Sequence, residues 1–298
     1  MNARQALAGL AALAAFSASA QDDLSKVQIQ AQKLSPSVYM LVGSGGNIGL
    51  SVGEDAVVMV DDQFAPLTPK IQAAIAQITP KPVRFLLNTH WHFDHTGGNE
   101  NFGAAGAVIV AHENVRKRMS VESMIDFLGM KFKAEPRAAL PVVTFTRDAT
   151  LHLNGDELRI LHAPAAHTDG DAIVHFANSN VIHMGDTFFN KLYPFIDYGS
   201  GGSIEGMIAA ADRVLGIARD DTKIIPGHGA LATRADLGAY RDMLSRVAER
   251  VRAQVRAGKS LAETVDSHPT AEFDAQWAKG FLNPQRFVEM LYKGMQKK

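Results

Sequence analysis

The chain has 298 residues, 46% hydrophobic and 20% charged, which excludes disordered and collagen-like classes and suffices for a large core. Its 30 basic and 31 acidic residues leave a formal charge of −1, so it lacks the cationic field that neutralises phosphates, and a nucleic-acid partner is disfavoured. Cysteine is absent, so any metal site must be built from nitrogen and oxygen ligands.

The chain begins with a short basic start, Met1 to Arg4, then an apolar run from Ala6 to Phe16 and the small residues Ser17-Ala18-Ser19-Ala20. This pattern predicts a secretory signal over residues 1–20, cleaved after Ala20, and an exported mature chain, periplasmic or secreted. The apolar run falls short of the ~20 residues that span a bilayer, so no membrane association is expected after cleavage.

Strands are expected at Val38 to Val42, Ile48 to Val52 and Ala56 to Val60, separated by Gly43-Ser44-Gly45-Gly46-Asn47 and Gly53-Glu54-Asp55. Pro69 to Ile78 has helical spacing, and Val83 to Leu87 is a strand ending just before a histidine cluster. After a strand at Ala107 to Val110, Met119, Met124, Ile125, Leu128 and Met130 form an apolar stripe that predicts one or two helices over Glu113 to Phe132. A second strand-rich run covers Val142 to Thr146, Ala149 to Leu153, Glu157 to His162, Ala172 to Phe176 and Val181 to Met184. A helix over Ile204 to Ala218, a strand at Lys223 to Ile225 and helices over Ala235 to Ala257 and Phe273 to Met295 complete the chain. Two β-rich halves, each followed by helices, predict an α/β fold with two sheets face to face and helices outside, as one domain over residues 21–298.

The chemistry concentrates in Thr89-His90-Trp91-His92-Phe93-Asp94-His95-Thr96-Gly97-Gly98, where four metal-ligand types fall together just after a strand. His90 and His92, two apart in an extended stretch, would share one side and bind a first ion. Asp94 and His95, at the turn into a helix, could reach a second. Downstream, His167-Thr168-Asp169-Gly170-Asp171, Gly185-Asp186-Thr187 and Ile225-Pro226-Gly227-His228-Gly229 each place a further ligand type at a predicted strand end or in its loop.

In the order of these motifs the chain resembles the metallo-β-lactamase superfamily, with Val60-Asp61 matching a further aspartate beside the site; the resemblance runs from about Val38 to about Gly229. It implies a four-layered αββα sandwich with two metals at one sheet edge. His90, His92 and His167 would bind the first zinc, and Asp94, His95 and His228 the second, with Asp186 bridging. Imidazoles and carboxylates suit zinc and also accept iron or manganese. Two such ions ~3.5–4 Å apart can ionise a bridging water into a hydroxide nucleophile, with Asp94 steering protons as well as ligating.

Many β-lactamases of this superfamily carry cysteine where Asp186 stands, whereas Asp186 resembles the pattern in hydroxyacylglutathione hydrolases, lactonases and other esterase-like members. The expected function is therefore hydrolysis of a small ester, lactone, thioester or amide, with β-lactam hydrolysis as a weak or adventitious side activity, and with a small molecule as partner. A phosphodiesterase or sulfatase, or a non-catalytic metal or ligand binder, are the alternatives. Trp91, Phe93, Phe188, Phe189, Tyr193 and Phe195 are divided between pocket and core, with the Tyr193 hydroxyl a candidate donor to an oxyanion. His112, His152, His162, His175, His183 and His268 are expected to be packing or surface residues, with His162 and His183 near enough in sequence to support ligands. The helices beyond Ala235 either cap the sheets or help form a homodimer, which composition does not decide.

Overall fold

The computed structural model describes residues 24–296, so the expected signal segment lies outside the described residues. Strands β1 (Gln30–Lys33), β2 (Val38–Val42), β3 (Ile48–Val52) and β4 (Val57–Val60) form an antiparallel meander. Helix α1 (Thr68–Ala76) crosses to β5 (Val83–Leu87), and the short helices α2 (Phe93–Thr96) and α3 (Asn99–Ala104) lead to β6 (Val108–His112). Then follow α4 (Glu113–Met119), a hairpin of β7 (Ser123–Ile125) and β8 (Met130–Phe132), and β9 (Val143–Phe145). Strands β4, β5, β6 and β9 run parallel and complete a sheet of order β1-β2-β3-β4-β5-β6-β9.

The second sheet is β10 (Ala149–Leu153), β11 (Asp156–Ala163), β12 (Asp171–Phe176) and β13 (Val181–His183), paired antiparallel in that order. After α5 (Ile204–Ile217), β14 (Lys223–Ile225) joins parallel to β13. Helices α6 (Arg234–Arg256), α7 (Leu261–Asp266), α8 (Asp274–Trp277) and α9 (Pro284–Gln296) close the fold.

The alternation of side chains along each strand sorts the layers. On β4, Val58 and Val60 face the second sheet, where Leu158, Ile160, Val174 and Phe176 meet them, while Val57 and Met59 turn outward onto Leu67, Ile71 and Ile75 beside and within α1. On β12 and β13, Ile173 and Ile182 turn outward onto Met207 and Val214 of α5 and Tyr240, Leu244 and Val247 of α6. The result is the αββα sandwich. With both faces covered, β4 is buried at every residue, which is why it reads as an unbroken apolar run.

Two expectations need correction, and one strand was not foreseen. The segment Glu113 to Phe132 is helical only to Met119, because Asp126-Phe127-Leu128-Gly129 makes a tight turn, with Gly129 at φ 65°. The helical spacing there was incidental: Ile125 is buried while Met124 is exposed. The C-terminal stretch from Phe273 splits into α8 and α9, and α7 precedes it. Strand β1 escaped notice because its four residues are all exposed and carry no apolar pattern. No described helix is long and apolar enough to cross a membrane.

Candidate metal centre

Open sheets gather ligands at the carboxyl ends of their parallel strands, and that is where the predicted residues meet. Asp61 follows β4, His90 to His95 follow β5, Asp186 follows β13 and His228 follows β14, while His167 lies in the β11–β12 loop. After Leu87 the chain turns under Asp61, whose Oδ1 accepts from Thr89 N at 2.7 Å. His92 then opens α2 in extended conformation, and His95 N and Thr96 N donate to its carbonyl at 3.0 and 3.1 Å. Glycines admit the close approaches: a Cβ at Gly46 would collide with the His95 ring, and one at Gly227 with the Asp186 carboxylate.

The side chains form two sets. His90, His92, His167 and Asp186 offer ligand atoms all within 4.8 Å of one another, as do Asp94, His95 and His228, so each set could hold a metal ion. His92 Nδ1 and His167 Nε2 are 2.8 Å apart, and the Nε2 atoms of His95 and His228 are 3.3 Å apart. Asp186 faces both: its Oδ2 lies 3.8 and 3.6 Å from His90 and His167 Nε2, and its Oδ1 lies 3.1 and 3.3 Å from His95 and His228 Nε2. Asp94 Oδ2 lies 3.3 Å from His228 Nε2 and 3.7 Å from His95 Nε2.

Outer partners set the tautomers. His95 Nδ1 donates to Asp61 Oδ2 at 2.7 Å, His167 Nδ1 to the Phe195 carbonyl at 2.8 Å and His92 Nε2 to Asp197 Oδ2 at 3.1 Å. Thr89 Oγ1 gives its own proton to Asp61 Oδ2 at 2.7 Å and so accepts from His90 Nδ1 at 3.0 Å. Of these four imidazoles, His90 and His167, both held low by burial, are each left with a bare nitrogen aimed at the neighbouring ligands. At 2.8 Å the lone pairs of His92 and His167 repel unless a cation lies beside both. His90 Nε2 and Asp186 Oδ1 are buried without a hydrogen-bond partner among the described residues. A donor set of this kind fits metal ions and fits little else.

Charge separates the two sets. Burial pushes His167 down to about 4, and burial together with His95 holds His90 well below the ordinary imidazole range. Burial also opposes charge on His95 and His228, but Asp186 and Asp94 outweigh it, raising His95 well above its ordinary value and His228 to about 10. Burial acts against the Asp94 carboxylate too, yet His95 and His228 carry it down to about 2. The second set, which faces both its own Asp94 and the shared Asp186, therefore holds protons at neutral pH where a cation would otherwise sit, and the imidazoles His90 and His167 of the first set do not.

Of the aromatic residues singled out, Trp91, Phe188 and Tyr193 belong to the core, whereas Phe189 stacks on His228 at 5.2 Å and Phe195 lies 6.0 Å from His92 and 5.8 Å from His167. Tyr193 is not an oxyanion donor, since its hydroxyl donates to Asp274 Oδ1 at 2.7 Å and its ring stacks on Phe287. His183 holds the loops beside Asp186, with Nε2 donating to Asn47 O at 2.9 Å and Nδ1 accepting from Gly185 N at 3.1 Å. His162 stacks on His112 and donates to Asp169 O, touching no ligand. Sequence reasoning missed Asp197, Thr89 and Asn47. Asn47 donates to the carbonyls of Pro226 and Gly229 on either side of His228, each at 2.9 Å. The run Asp197-Tyr198-Gly199-Ser200 carries the one usable signal, an aspartate capping a turn, with Ser200 N donating to Asp197 Oδ1.

The fold and its paired ligand sets define a metallo-hydrolase scaffold. The metallo-beta-lactamase superfamily model matches residues 41–228, and the chain belongs to that superfamily. The alpha subunit of 2,4-dinitroanisole O-demethylase from Nocardioides sp. (strain JS1661) is 23% identical over 218 residues, 72% of this chain and 62% of that one, so the chain spans under two thirds of its length. Hydroxyacylglutathione hydrolase from Polaromonas sp. (strain JS666 / ATCC BAA-500) is 25% identical over 208 residues, 70% of this chain and 68% of the relative. In fold, the chain is similar to a metallo-beta-lactamase from Pontibacter korlensis, with TM-score 0.60 and 18% identity over 73% of this chain and 99% of the other. It is also similar to the sec-alkylsulfatase Pisa1 from Pseudomonas sp., with TM-score 0.64 and 18% identity over 89% of this chain and 50% of the other.

Proposed function

We propose that the chain is a dinuclear zinc-dependent hydrolase that cleaves a small ester, lactone, thioester or amide, β-lactams among them. The observation that carries this reading is Asp186, whose two oxygens face different ligand sets, as a bridge between two ions requires. In the proposed site His90, His92 and His167 hold one ion, Asp94, His95 and His228 the other, and iron or manganese could replace zinc. When bound, such a pair supplies an acidified water as nucleophile and polarises a carbonyl.

The protein's own residues do the rest. Asp61 and Thr89 lock His95 and His90 in the ligating tautomer, and Asp197 does the same for His92. Access to the site runs past Asp94 and His228, whose side chains are 20% and 25% exposed while the other ligands are buried. Asp94 Oδ2 is thus the carboxylate placed to take the proton of the attacking water and pass it to the leaving group. The acyl carbon loses its bond to oxygen, sulfur or nitrogen, gains one to water oxygen, and an acid and a protonated leaving group depart.

Hydroxyacylglutathione hydrolase, by its name, acts on an acyl thioester, which supports the thioester branch of this reading. The predicted signal supports action outside the cytoplasm on a small molecule. The test is a panel of thioesters, lactones, nitrocefin, bis-nitrophenyl phosphate and alkyl sulfates with zinc-loaded protein. Metal-dependent turnover of carbonyl substrates is expected, and turnover confined to the phosphate or sulfate would replace this reading with the phosphodiesterase or sulfatase one.

A further inference from the structure

The mouth of the site is ringed with phenylalanine. Phe64 and Asp94 both border Gly45, where a Cβ would sit 3.1 Å from the Phe64 ring and 3.2 Å from Asp94 Cβ. Phe64 packs on Phe93 at 5.7 Å, and Phe93 stacks on Phe132 of β8 at 5.2 Å and 25°. Across the mouth Phe127, at the tip of the β7–β8 hairpin, meets Phe195 at 6.2 Å. Phe189 lies 6.2 Å from His167 and stacks on His228 at 5.2 Å.

Four of the six, Phe64, Phe93, Phe127 and Phe132, keep part of their surface in water although each packs on another ring of the group, so the cluster is a lining rather than a sealed core. The hairpin that brings two of them is hydrogen-bonded into neither large sheet. It is fastened instead by buried Ile125 and by Arg286 of α9, whose guanidinium sits 4.4 Å from the Phe127 ring centroid. In an element held out of both sheets, Phe127 meets Phe195, which lies beside His92 and His167, and leaves apolar surface next to the ligand cluster that a guest would bury.

We infer that this collar selects substrates whose acyl group is aromatic or long-chain aliphatic, held against Phe127 and Phe132 while the carbonyl reaches the ligand cluster. The inference rests on the hydrolase reading above and deepens it by naming the substrate class. A larger apolar group gains burial against the rings, whereas an acetyl group leaves them wet.

The test is a series of thioesters of one short thiol, acetyl, hexanoyl and phenylacetyl, with zinc-loaded protein and thiol release followed. Wild type should favour phenylacetyl and hexanoyl over acetyl in kcat/KM, and Phe127→Ala should cut that ratio roughly tenfold, mainly through KM. Phe281→Ala, at a ring 73% exposed and outside the collar, should leave the ratio unchanged. If Phe127→Ala fails to fold, Phe127→Gln carries the same comparison, since it keeps much of the side-chain volume and removes the apolar ring. An unchanged ratio in the Phe127 variants overturns the inference. If wild type turns over no carbonyl substrate, the hydrolase reading fails separately. Binding of phenylacetate against acetate, read by tryptophan fluorescence, then decides the collar: weaker phenylacetate binding in Phe127→Ala supports it and equal binding overturns it.

Discussion

His95 Nδ1 donates to Asp61 Oδ2 across 2.7 Å, and both groups are fully buried. The same Oδ2 takes the Thr89 hydroxyl proton, so one carboxylate orients His95 directly and His90 through Thr89, one histidine from each ligand set. Asp61 sits at φ 61°, a conformation asparagine also tolerates, so Asp61→Asn tests the charge with little change to the backbone. Its single amide oxygen cannot serve all three donors that Asp61 now satisfies. Metal affinity should fall about 10–100-fold, measured by competition with a chromophoric chelator; wild-type affinity would mean that Asp61 does not orient the ligands.

Proton release should differ between the two ions. Because His90 and His167 are held low, at about 4 for His167, the first ion should release almost no protons at neutral pH. Because His95 is raised and His228 is raised to about 10, the second ion should displace about one to two protons and bind more tightly as pH climbs. The linked stability has a definite sign. His228 has a folded-state value above its unfolded one, so the metal-free protein keeps this contribution below about pH 6.5 and loses it as pH rises toward about 10. Calorimetry in buffers of different ionisation enthalpy measures the release, and equal release for both ions would contradict the assignment of charge.

Gly46→Ala should damage the second ligand set specifically. The added methyl would press on the His95 ring, and the backbone of Gly46 is itself tied to Asp94 O at 3.0 Å. Overpacking of this kind costs about 1–3 kcal/mol, so denaturant melts should shift by that amount. Affinity for the second ion should drop while the first is retained. Loss of both ions together would show that the two sets do not act as separate sites.

Tyr193→Phe removes a hydroxyl engaged with Asp274 and Thr270, away from the ligands. Stability should fall by about 1 kcal/mol with kcat essentially unchanged. A large fall in kcat at intact stability would restore Tyr193 to the reaction.

The ligands were legible in sequence because ligand chemistry admits few residue types and these stand at the ends of apolar runs that read clearly as strands. Asp61 was legible for the same reason. Asp197 was not, since it meets His92 across 105 residues and nothing local announces the pairing. The β7–β8 hairpin was misread because Met119, Met124, Ile125 and Leu128 mimic a helical stripe, while the turn at Gly129 depends on a backbone conformation that spacing does not report. The aromatic collar was only half visible: Phe93, Phe189 and Phe195 neighbour ligands in sequence, whereas Phe64, Phe127 and Phe132 arrive by tertiary packing alone.

The bridging role of Asp186 is tested most directly by metal stoichiometry. Elemental analysis of purified, zinc-equilibrated protein should give two ions per chain for wild type, and Asp186→Ala should lose most of the second, because the two oxygens of this carboxylate face different ligand sets. Two ions retained at wild-type affinity in Asp186→Ala, or a wild type that never takes up more than one, would contradict a shared dinuclear centre.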